Sequence, residues 1–109
     1  MTYGLQGFLN LVDINSTPYN VTSNQPNRTV FYVNASGSSK TINLPAINSV
    51  TKGTVYIFKR DNGAYNVTID PNSSETIDGS STKSISGTWD SWCVVSNGSQ
   101  WLTIGYGLS

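Results

Sequence analysis

The stretch Tyr65–Ile104, YNVTIDPNSSETIDGSSTKSISGTWDSWCVVSNGSQWLTI, decides the fold of this chain. It reads as four short strands rich in β-branched and aromatic residues, separated by turns such as DPN at 70–72 and SNG at 96–98. The stretch contains all three tryptophans and several carboxylates, but no catalytic motif. We therefore expect its function to come from assembly and surface chemistry.

The same alternation of strands and turns continues upstream of this stretch. Strand-like runs recur about every eight to twelve residues, which is typical of an all-β sandwich or barrel. The sequence therefore predicts a small antiparallel β-sandwich or barrel-like domain over residues 19–109, and the turn DNG at 61–63 indicates a hairpin. The predicted strands are Tyr19–Thr22, Thr29–Val33, Thr41–Leu44, Thr54–Arg60, Tyr65–Asp70, Thr82–Ser86, Trp92–Ser96 and Trp101–Ile104.

Residues 1–18, MTYGLQGFLNLVDINSTP, differ from the rest of the chain. Their apolar residues show no sustained period of two, and Gly4 and Gly7 interrupt any helix. We predict an N-terminal arm that packs either on its own domain or on a neighbouring subunit. The residues predicted to anchor this arm are Leu5, Phe8, Leu9, Leu11 and Val12.

Length and charge limit the kinds of partner. A chain of 109 residues accommodates one domain, and its formal net charge is zero with only 11% of residues charged. No basic face is available to neutralise phosphates or anionic lipids, so we expect no nucleic-acid partner. No apolar run is long enough for a signal peptide or a membrane span, so we also expect no membrane insertion.

The chain contains one cysteine and no histidine. Without histidine, no Ser/His/Asp or Cys/His arrangement can form, and the sequence contains no glycine-rich phosphate loop. We therefore predict that the protein is not an enzyme and carries no cofactor or metal. Cys93 lies in the apolar run WCVVS and is interpreted as a buried, inert thiol.

Asp70, Glu75 and Asp78 lie close together in the sequence and raise the question of a glycosidase pair or a Ca²⁺ site. Their spacing does not match the alternating oxygen ligands of a calcium loop. Asp70 precedes Pro71 and Asp78 precedes Gly79, positions where turns favour aspartate. We interpret these carboxylates as turn-forming residues.

Several strands are apolar on both faces. In the strand Thr54–Arg60, Val55 and Ile57 alternate with Tyr56 and Phe58. Such a strand lies either between two layers or in a subunit contact. The strands with the last two tryptophans repeat the pattern, which favours oligomerisation. The residues predicted to lie in the core or a subunit interface are Tyr56, Phe58, Trp92, Val94 and Trp101.

Aromatic residues are the candidates for ligand binding, because a flat ring can stack on the apolar face of a sugar. Trp89 lies in the turn SGTWDS, where we expect it to be exposed. Tyr65 and Tyr106 are the other candidate glycan contacts. For Trp92 and Trp101, a place in the core or an interface is favoured.

From Val67 onward the order of motifs is VTIDP, ETIDG, a hydroxyl-rich strand, TWDSWCVVS, NGSQ and WLTIG. This order resembles a small β-domain that recurs in tailed-phage virion proteins. The upstream run SGSSKTINLPAINSVTKGTVYIFKRDNGAYNVTIDP is similar to the companion half of that domain, so the resemblance covers Tyr19–Gly105. The chain departs from the family pattern at Asn72-Ser73, where a glycine is more common, and at Cys93.

The resemblance implies a compact, commonly trimeric β-domain of fibres, spikes and head-decorating proteins. The leading hypothesis is a virion structural protein, a capsid decoration, cement or head-fibre protein, synthesised in the host cytoplasm and located at the particle surface. Its partners would be the two other subunits of a homotrimer and another virion protein, such as the major capsid protein or a fibre base. Two alternatives stay open: a tail-fibre or spike module that recognises a host surface glycan, and a free carbohydrate-binding module.

Overall fold

The structure, a computed structural model, describes residues 9–106, and for Tyr106 the backbone alone. The predicted all-β fold is confirmed, because the described chain consists of strands joined by loops and short turns. All the predicted strands are present, and one further strand precedes them. The strands are β1 (Asn10–Ile14), β2 (Tyr19–Asn20), β3 (Thr29–Val33), β4 (Lys40–Asn43), β5 (Val55–Arg60), β6 (Val67–Asp70), β7 (Lys83–Ile85), β8 (Ser91–Ser96) and β9 (Trp101–Tyr106), with a 3₁₀ turn at Ile47–Ser49.

The strands form two facing sheets, a five-stranded sheet in the order β1-β3-β5-β8-β9 and a four-stranded sheet in the order β2-β4-β6-β7. From β1 to β6 the chain crosses to the other sheet after every strand. Each strand therefore returns to its own sheet in the same direction, and the pairs β1–β3, β3–β5, β2–β4 and β4–β6 are parallel.

The prediction of an antiparallel domain is wrong in this respect, because both sheets are mixed. The antiparallel pairs are β5–β8, β8–β9 and β6–β7, all formed by the C-terminal strands. The alternation of residues locates a strand and its inner face, but it does not determine the direction of the neighbouring strand.

The first six strands form three stacked coils, each with one strand in either sheet: β1 with β2, β3 with β4, and β5 with β6. Between the second and third coils the register is constant, since each residue pairs with the residue 27 positions later, as Thr29 does with Tyr56 and Lys40 with Val67. The repeat is visible in the sequence, where TIN at 41–43 aligns with TID at 68–70. The two later coils are thus copies of one structural unit.

Equivalent asparagines of successive coils form hydrogen-bonded ladders. Asn34 Nδ2 donates to Asn15 Oδ1 at 3.2 Å, just beyond the ends of β3 and β1. Asn43 Nδ2 donates to Asn20 Oδ1 at 2.9 Å, at the ends of β4 and β2. The side-chain amides therefore continue the pairing of the backbone from one coil to the next.

The hydrophobic core lies between the sheets and joins the coils to the C-terminal strands. Phe31 stacks on Phe58 with ring centroids 5.2 Å apart, and Tyr56 packs against Trp101 at 5.6 Å. These rings connect the second coil, the third coil and β9. The buried apolar residues are Ile14, Val21, Phe31, Val33, Ala35, Ile42, Leu44, Ile47, Tyr56, Phe58, Val67, Ile69, Ile77, Ile85, Val94 and Trp101.

The turn at 61–63 does not form the predicted hairpin, because β5 and β6 belong to different sheets. Asp61 Oδ1 accepts hydrogen bonds from the backbone N–H groups of Gly63 at 2.9 Å and Ala35 at 2.8 Å. A Cβ atom on Gly63 would lie 2.2 Å from the carbonyl carbon of Ala35. The Asp-Asn-Gly turn therefore holds two coils in close contact, which only glycine permits at this position.

Two buried cations stabilise the loops at this same end of the sheets. Lys40 and Arg60 are each 3% exposed, and their charged groups donate to backbone carbonyls. Such charge-assisted hydrogen bonds compensate the lost hydration of a buried cation. The acceptors are the carbonyls of Ser36 and Ser38 for Lys40, and those of Asp61, Gly63 and Tyr65 for Arg60.

Part of the predicted N-terminal arm is a strand of the fold. β1 forms an edge of the five-stranded sheet, and its last residue, Ile14, is 1% exposed in the core. Val12 also packs against the core, whereas Leu9 and Leu11 are exposed. Leu5 and Phe8 lie outside the described residues. The anchoring role of the arm stays a prediction, and residues 10–14 pack on their own domain.

Candidate assembly face

The outer face of the five-stranded sheet is apolar across its width. The alternation of buried and partly exposed residues along β3 and β5 places Val30 and Ile57 on the outside. The strand register joins Leu11, Val30, Ile57 and Cys93 into one row across four strands. We call this row, together with the outward-facing neighbours that follow, the apolar face. The neighbours are Val55, Val95, Leu102 and Ile104.

The apolar face is large enough to be functional. Five strands about 4.8 Å apart and about five residues long give an outer sheet face of roughly 400 Å², and the apolar rows form the larger part of it. This falls within the size of the largest apolar patch on typical monomers, which is often a binding surface. Its most exposed side chains are Leu11 at 62% and Ile104 at 59%, on the two edge strands β1 and β9.

A polar rim borders one end of the apolar face. Asp13, Tyr32 and Lys59 form the next outward row on β1, β3 and β5. The ammonium group of Lys59 donates to the backbone carbonyl of Trp89, in the loop before β8. The apolar face therefore has a polar border at the end where β5 reaches Lys59.

The outer face of the four-stranded sheet has the opposite character. Its outward positions carry hydroxyl, amide and carboxylate groups, and we call it the polar face. The strand register arranges these side chains in two rows. The rows are Thr41, Thr68 and Ser84, and Asn20, Asn43 and Asp70.

Four of the residues predicted to lie in the core or an interface are fully buried between the sheets. Tyr56, Phe58, Val94 and Trp101 are each 0% exposed. The Tyr56 hydroxyl and the Trp101 indole N–H have no hydrogen-bond partner within the described part of the chain. Burial also raises the pKa of Tyr56, because the phenolate would be poorly solvated there. The outward-facing neighbours of these residues, rather than the residues themselves, are available to a partner.

Trp92 is partly buried and belongs to a polar connection at the edge of the core. Its indole N–H donates to Thr103 Oγ1 at 2.9 Å, and the Lys83 ammonium lies 5.7 Å from its ring centroid. The backbone N–H of Thr103 in turn donates to Asp78 Oδ1 at 2.9 Å. Hydrogen bonding from the Thr103 side chain lowers the pKa of Asp78, and Lys83 adds a smaller attraction.

The carboxylates at 70–78 have separate environments. Glu75 Oε1 accepts a hydrogen bond from the backbone N–H of Ile47 at 3.0 Å, so this side chain ties two loops together. Asp78 adopts a φ of 52° before Gly79, as the turn requires. Within residues 9–106, no group of three or more His, Cys, Asp or Glu side chains could hold a metal ion. No helix in this part of the chain has the length and hydropathy to span a bilayer.

The candidate glycan contacts lie at one end of the sandwich. Trp89 is 41% exposed and Tyr65 is 44% exposed, in the loops before β8 and after β5. The backbone of Tyr106 pairs with Trp92 at this same end. The three residues are therefore brought to one end of the molecule, but within the described chain no ring contact joins Trp89 to Tyr65.

Cys93 lies on the apolar face and is half-buried. The prediction of a buried thiol is therefore wrong in degree. It lies opposite Ile57 in the register of β5 and β8. Burial raises the pKa of its thiol above the ordinary 9.0, so the reactive thiolate is scarce at neutral pH. The side chain is positioned to report on contacts made by this face.

Sequence reasoning missed the row formed by Asn20, Asn43 and Asp70. The signal was the repeat of TIN and TID, followed by Pro45 in one copy and Pro71 in the other. A repeat spacing of 27 residues aligns the amide of Asn43 with the carboxylate of Asp70 in the sequence itself. Compared with known proteins, the chain matches no protein-family model and no curated protein sequence.

Proposed function

We propose that this protein is a bacteriophage virion structural protein, a capsid decoration, cement or head-fibre protein that assembles as a trimer on the particle. The observation that carries the proposal is the apolar face on one sheet, opposite a sheet whose outer face is polar. The motif order that resembles phage virion domains and the low charge of the chain support the same function.

Association through the apolar face removes the exposed side chains from water. At about 25 cal/mol per Å², every ~100 Å² of accessible apolar surface that is covered supplies about 2.5 kcal/mol before the costs of association. In the proposed trimer the apolar faces turn toward the three-fold axis, so that the edge with Leu11 on one subunit meets the edge with Ile104 on its neighbour and the central residues are covered. Such a head-to-tail contact closes into a ring of three when the rotation is suitable.

The N-terminal residues supply the contact with the particle in this proposal. β1 positions the chain at the edge of the apolar face, and the preceding residues include Leu5 and Phe8. Leu9, which directly precedes β1, is itself exposed. The partner is another virion protein, the major capsid protein or a fibre base. A cryo-EM map of the native particle would locate the subunit and its contacts.

A tail-fibre or spike module that recognises a host glycan is the second candidate function. The observation in its favour is the exposure of Trp89 and Tyr65 at one end of the sandwich. Binding on a glycan array that disappears in a Trp89→Ala variant would favour this function over decoration.

The test of assembly compares equivalent outward positions on the central strands of the two sheets. Ile57→Lys places a charge in the middle of the apolar face, and Thr68→Lys places the same charge on the polar face. Sedimentation velocity should show a trimer for the wild-type protein and for Thr68→Lys. Ile57→Lys should weaken association by at least about 100-fold, since a charge cannot be buried unpaired.

Thermal unfolding of both variants controls for loss of the fold. A wild-type protein that stays monomeric at about 100 µM, or an Ile57→Lys variant that remains trimeric, would contradict assembly through the apolar face.

A further inference from the structure

The end of the four-stranded sheet opposite Trp89 contains an open groove of about 370 Å³. It lies where β2, β4 and β6 end, and the volume is within the range of small-ligand sites. Its buried floor is apolar and its rim is polar. The floor residues are Val21, Leu44, Pro45 and Pro71, and the rim residues are Asn20, Asn43, Asp70, Asn72 and Ser73.

The groove exists because the three coils repeat the same position. Asn20, Asn43 and Asp70 pair in register, so their side chains stand about 4.8 Å apart along the stacking direction. One residue after this row, the backbones of the second and third coils are still hydrogen-bonded, because the Leu44 N–H donates to the Asp70 carbonyl at 2.9 Å. β4 ends at Asn43 and β6 ends at Asp70. The pairing ends there, and the side chains of the row line an open surface.

The hydrogen-bonding capacity of the rim is only partly used within residues 9–106. Asn43 donates through Nδ2 to Asn20, which leaves Asn43 Oδ1 as an available acceptor. The Asp70 carboxylate accepts no hydrogen bond within the described residues, although its backbone carbonyl does. The Asn72 amide and the Ser73 hydroxyl add donors on the far side of the groove.

We infer that this groove binds a neutral, hydroxyl-rich glycan, with the sugar chain running along the row of Asn20, Asn43 and Asp70. A pyranose carries hydroxyl groups around its periphery, which fit the amide, carboxylate and hydroxyl groups of the rim, and its C–H face can lie over the small apolar area that the floor leaves accessible. Among the residues that the structure describes, Asp70 is the one charged residue lining the groove, and no cation lines it. An anionic sugar would face an uncompensated carboxylate, so the site discriminates in favour of uncharged sugars.

This inference is separate from the proposed trimer, because the groove uses the ends of the four-stranded sheet and the trimer uses the outer face of the other. It also differs from the second candidate function, whose aromatic residues lie at the opposite end of the sandwich. Each of the three sites can therefore be removed while the other two remain.

The experiment starts with the full chain on an array of neutral and anionic glycans. NMR titration of the ¹⁵N-labelled protein with maltotriose, mannotriose and lactose then follows, with sialyllactose as the anionic comparison. Binding of a neutral glycan, with shifts of the Asn20, Asn43 and Asn72 amides, is the expected result. No binding by any neutral glycan at millimolar concentration, or tighter binding of sialyllactose, overturns the inference.

The matched variants are Asp70→Asn in the groove and Trp89→Ala at the opposite end. Asp70→Asn keeps the size of the side chain and disturbs no side-chain hydrogen bond of the described residues, so the variant should fold normally. It should weaken glycan binding by at least about tenfold, because a carboxylate is a stronger acceptor than an amide.

Trp89→Ala should leave that affinity unchanged, and so should the monomeric Ile57→Lys variant. Loss of binding in Trp89→Ala with full binding in Asp70→Asn would overturn the inference and place the glycan at the aromatic end. If Ile57→Lys stayed trimeric while the groove bound its glycan, the assembly proposal alone would fail.

Discussion

The two outer faces of this molecule are built on similar strands and have opposite chemistry. Along the central strand of the five-stranded sheet the outward residues are Val55 and Ile57, and along that of the four-stranded sheet they are Thr68 and Asp70. Thr and Val have nearly the same shape and a similar preference for strands. The difference between the outer faces does not arise from the needs of the core, since both sheets bury their inner faces in one core, and it is what the proposed assembly through the apolar face would use.

The inner and outer faces of each sheet have different roles in a small β-domain. One face of each sheet stabilises the monomer, and its residues are buried whatever the state of assembly. The outer face is free to select a partner. A protein that is apolar on one outer face and hydroxylated on the other favours association through the apolar face, and the rotation between neighbouring subunits decides whether the assembly closes.

The largest expected effect is a difference in the stability of the subunit between substitutions at two adjacent residues of β5, one facing the core and one facing outward. Phe58→Ala removes a fully buried ring from the stack with Phe31 and should lower the free energy of unfolding by about 3–5 kcal/mol. Ile57→Ala changes a partly exposed residue and should cost the isolated subunit about 1 kcal/mol or less, while weakening the proposed trimer.

Urea unfolding at low protein concentration and sedimentation together separate these effects. Equal losses of subunit stability at the two positions would mean that Ile57 faces a core of its own, and the distinction between the faces would have to be abandoned.

The thiol of Cys93 offers a smaller, native measure of whether the apolar face is covered. If the proposed trimer forms as the protein concentration rises, the reaction of this thiol with a thiol reagent should slow, because β8 then faces a neighbour. In the Ile57→Lys variant the rate should be independent of concentration. Since burial raises the pKa of this thiol, the rate should continue to increase with pH up to and beyond 9.0. A wild-type rate that ignores concentration would place the subunit contact elsewhere.

The smallest effect concerns the link between the two sheets. Asp78 lies in the loop after β6 and accepts a hydrogen bond from Thr103 on β9, so it joins the four-stranded sheet to the edge of the apolar face. Its pKa is lowered from 3.8, hence the ionised form is favoured by folding. The stabilisation is fully present above pH 3.8 and is lost as the pH falls through the lower folded-state pKa.

Melting temperatures measured between neutral and strongly acidic pH would test this link. Asp78→Asn should be less stable than wild type at neutral pH, and the difference should shrink below pH 3.8. Two curves that stay parallel over the whole range would show that Asp78 contributes no ionisation-dependent stability.

The strands could be located well from the sequence, because alternation and turn residues are local signals. Thr29–Val33 is a strand with the predicted bounds, and the inward side of β5 carries the predicted aromatic pair. The positive φ of 54° at Ser73 also accounts for the expectation of a glycine near that position. In these places the physical cause of the structure lies within a few neighbouring residues.

Strand pairing could not be predicted in the same way, since it depends on residues far apart in the chain. The Asp61 carboxylate closes a turn, as the sequence indicated, but it also binds the N–H of Ala35 in the previous coil. The residues at 61–63 suit a hairpin and a turn between strands of different sheets equally well. The groove was missed for the same reason, because Asn20, Asn43 and Asp70 come together only when three coils are stacked.

Because the register between the second and third coils is constant, the height of the domain depends on the number of stacked coils. Each additional copy of a 27-residue unit would raise the structure by about 4.8 Å and lengthen every ladder by one rung. The loops can differ in length between coils, since the first coil pairs with the second at spacings of 19 residues in one sheet and 23 in the other, but an insertion within a strand would shift the register of its sheet. A gene that gains or loses whole units can therefore change the reach of the protein in fixed steps, while the C-terminal strands continue to close the stack.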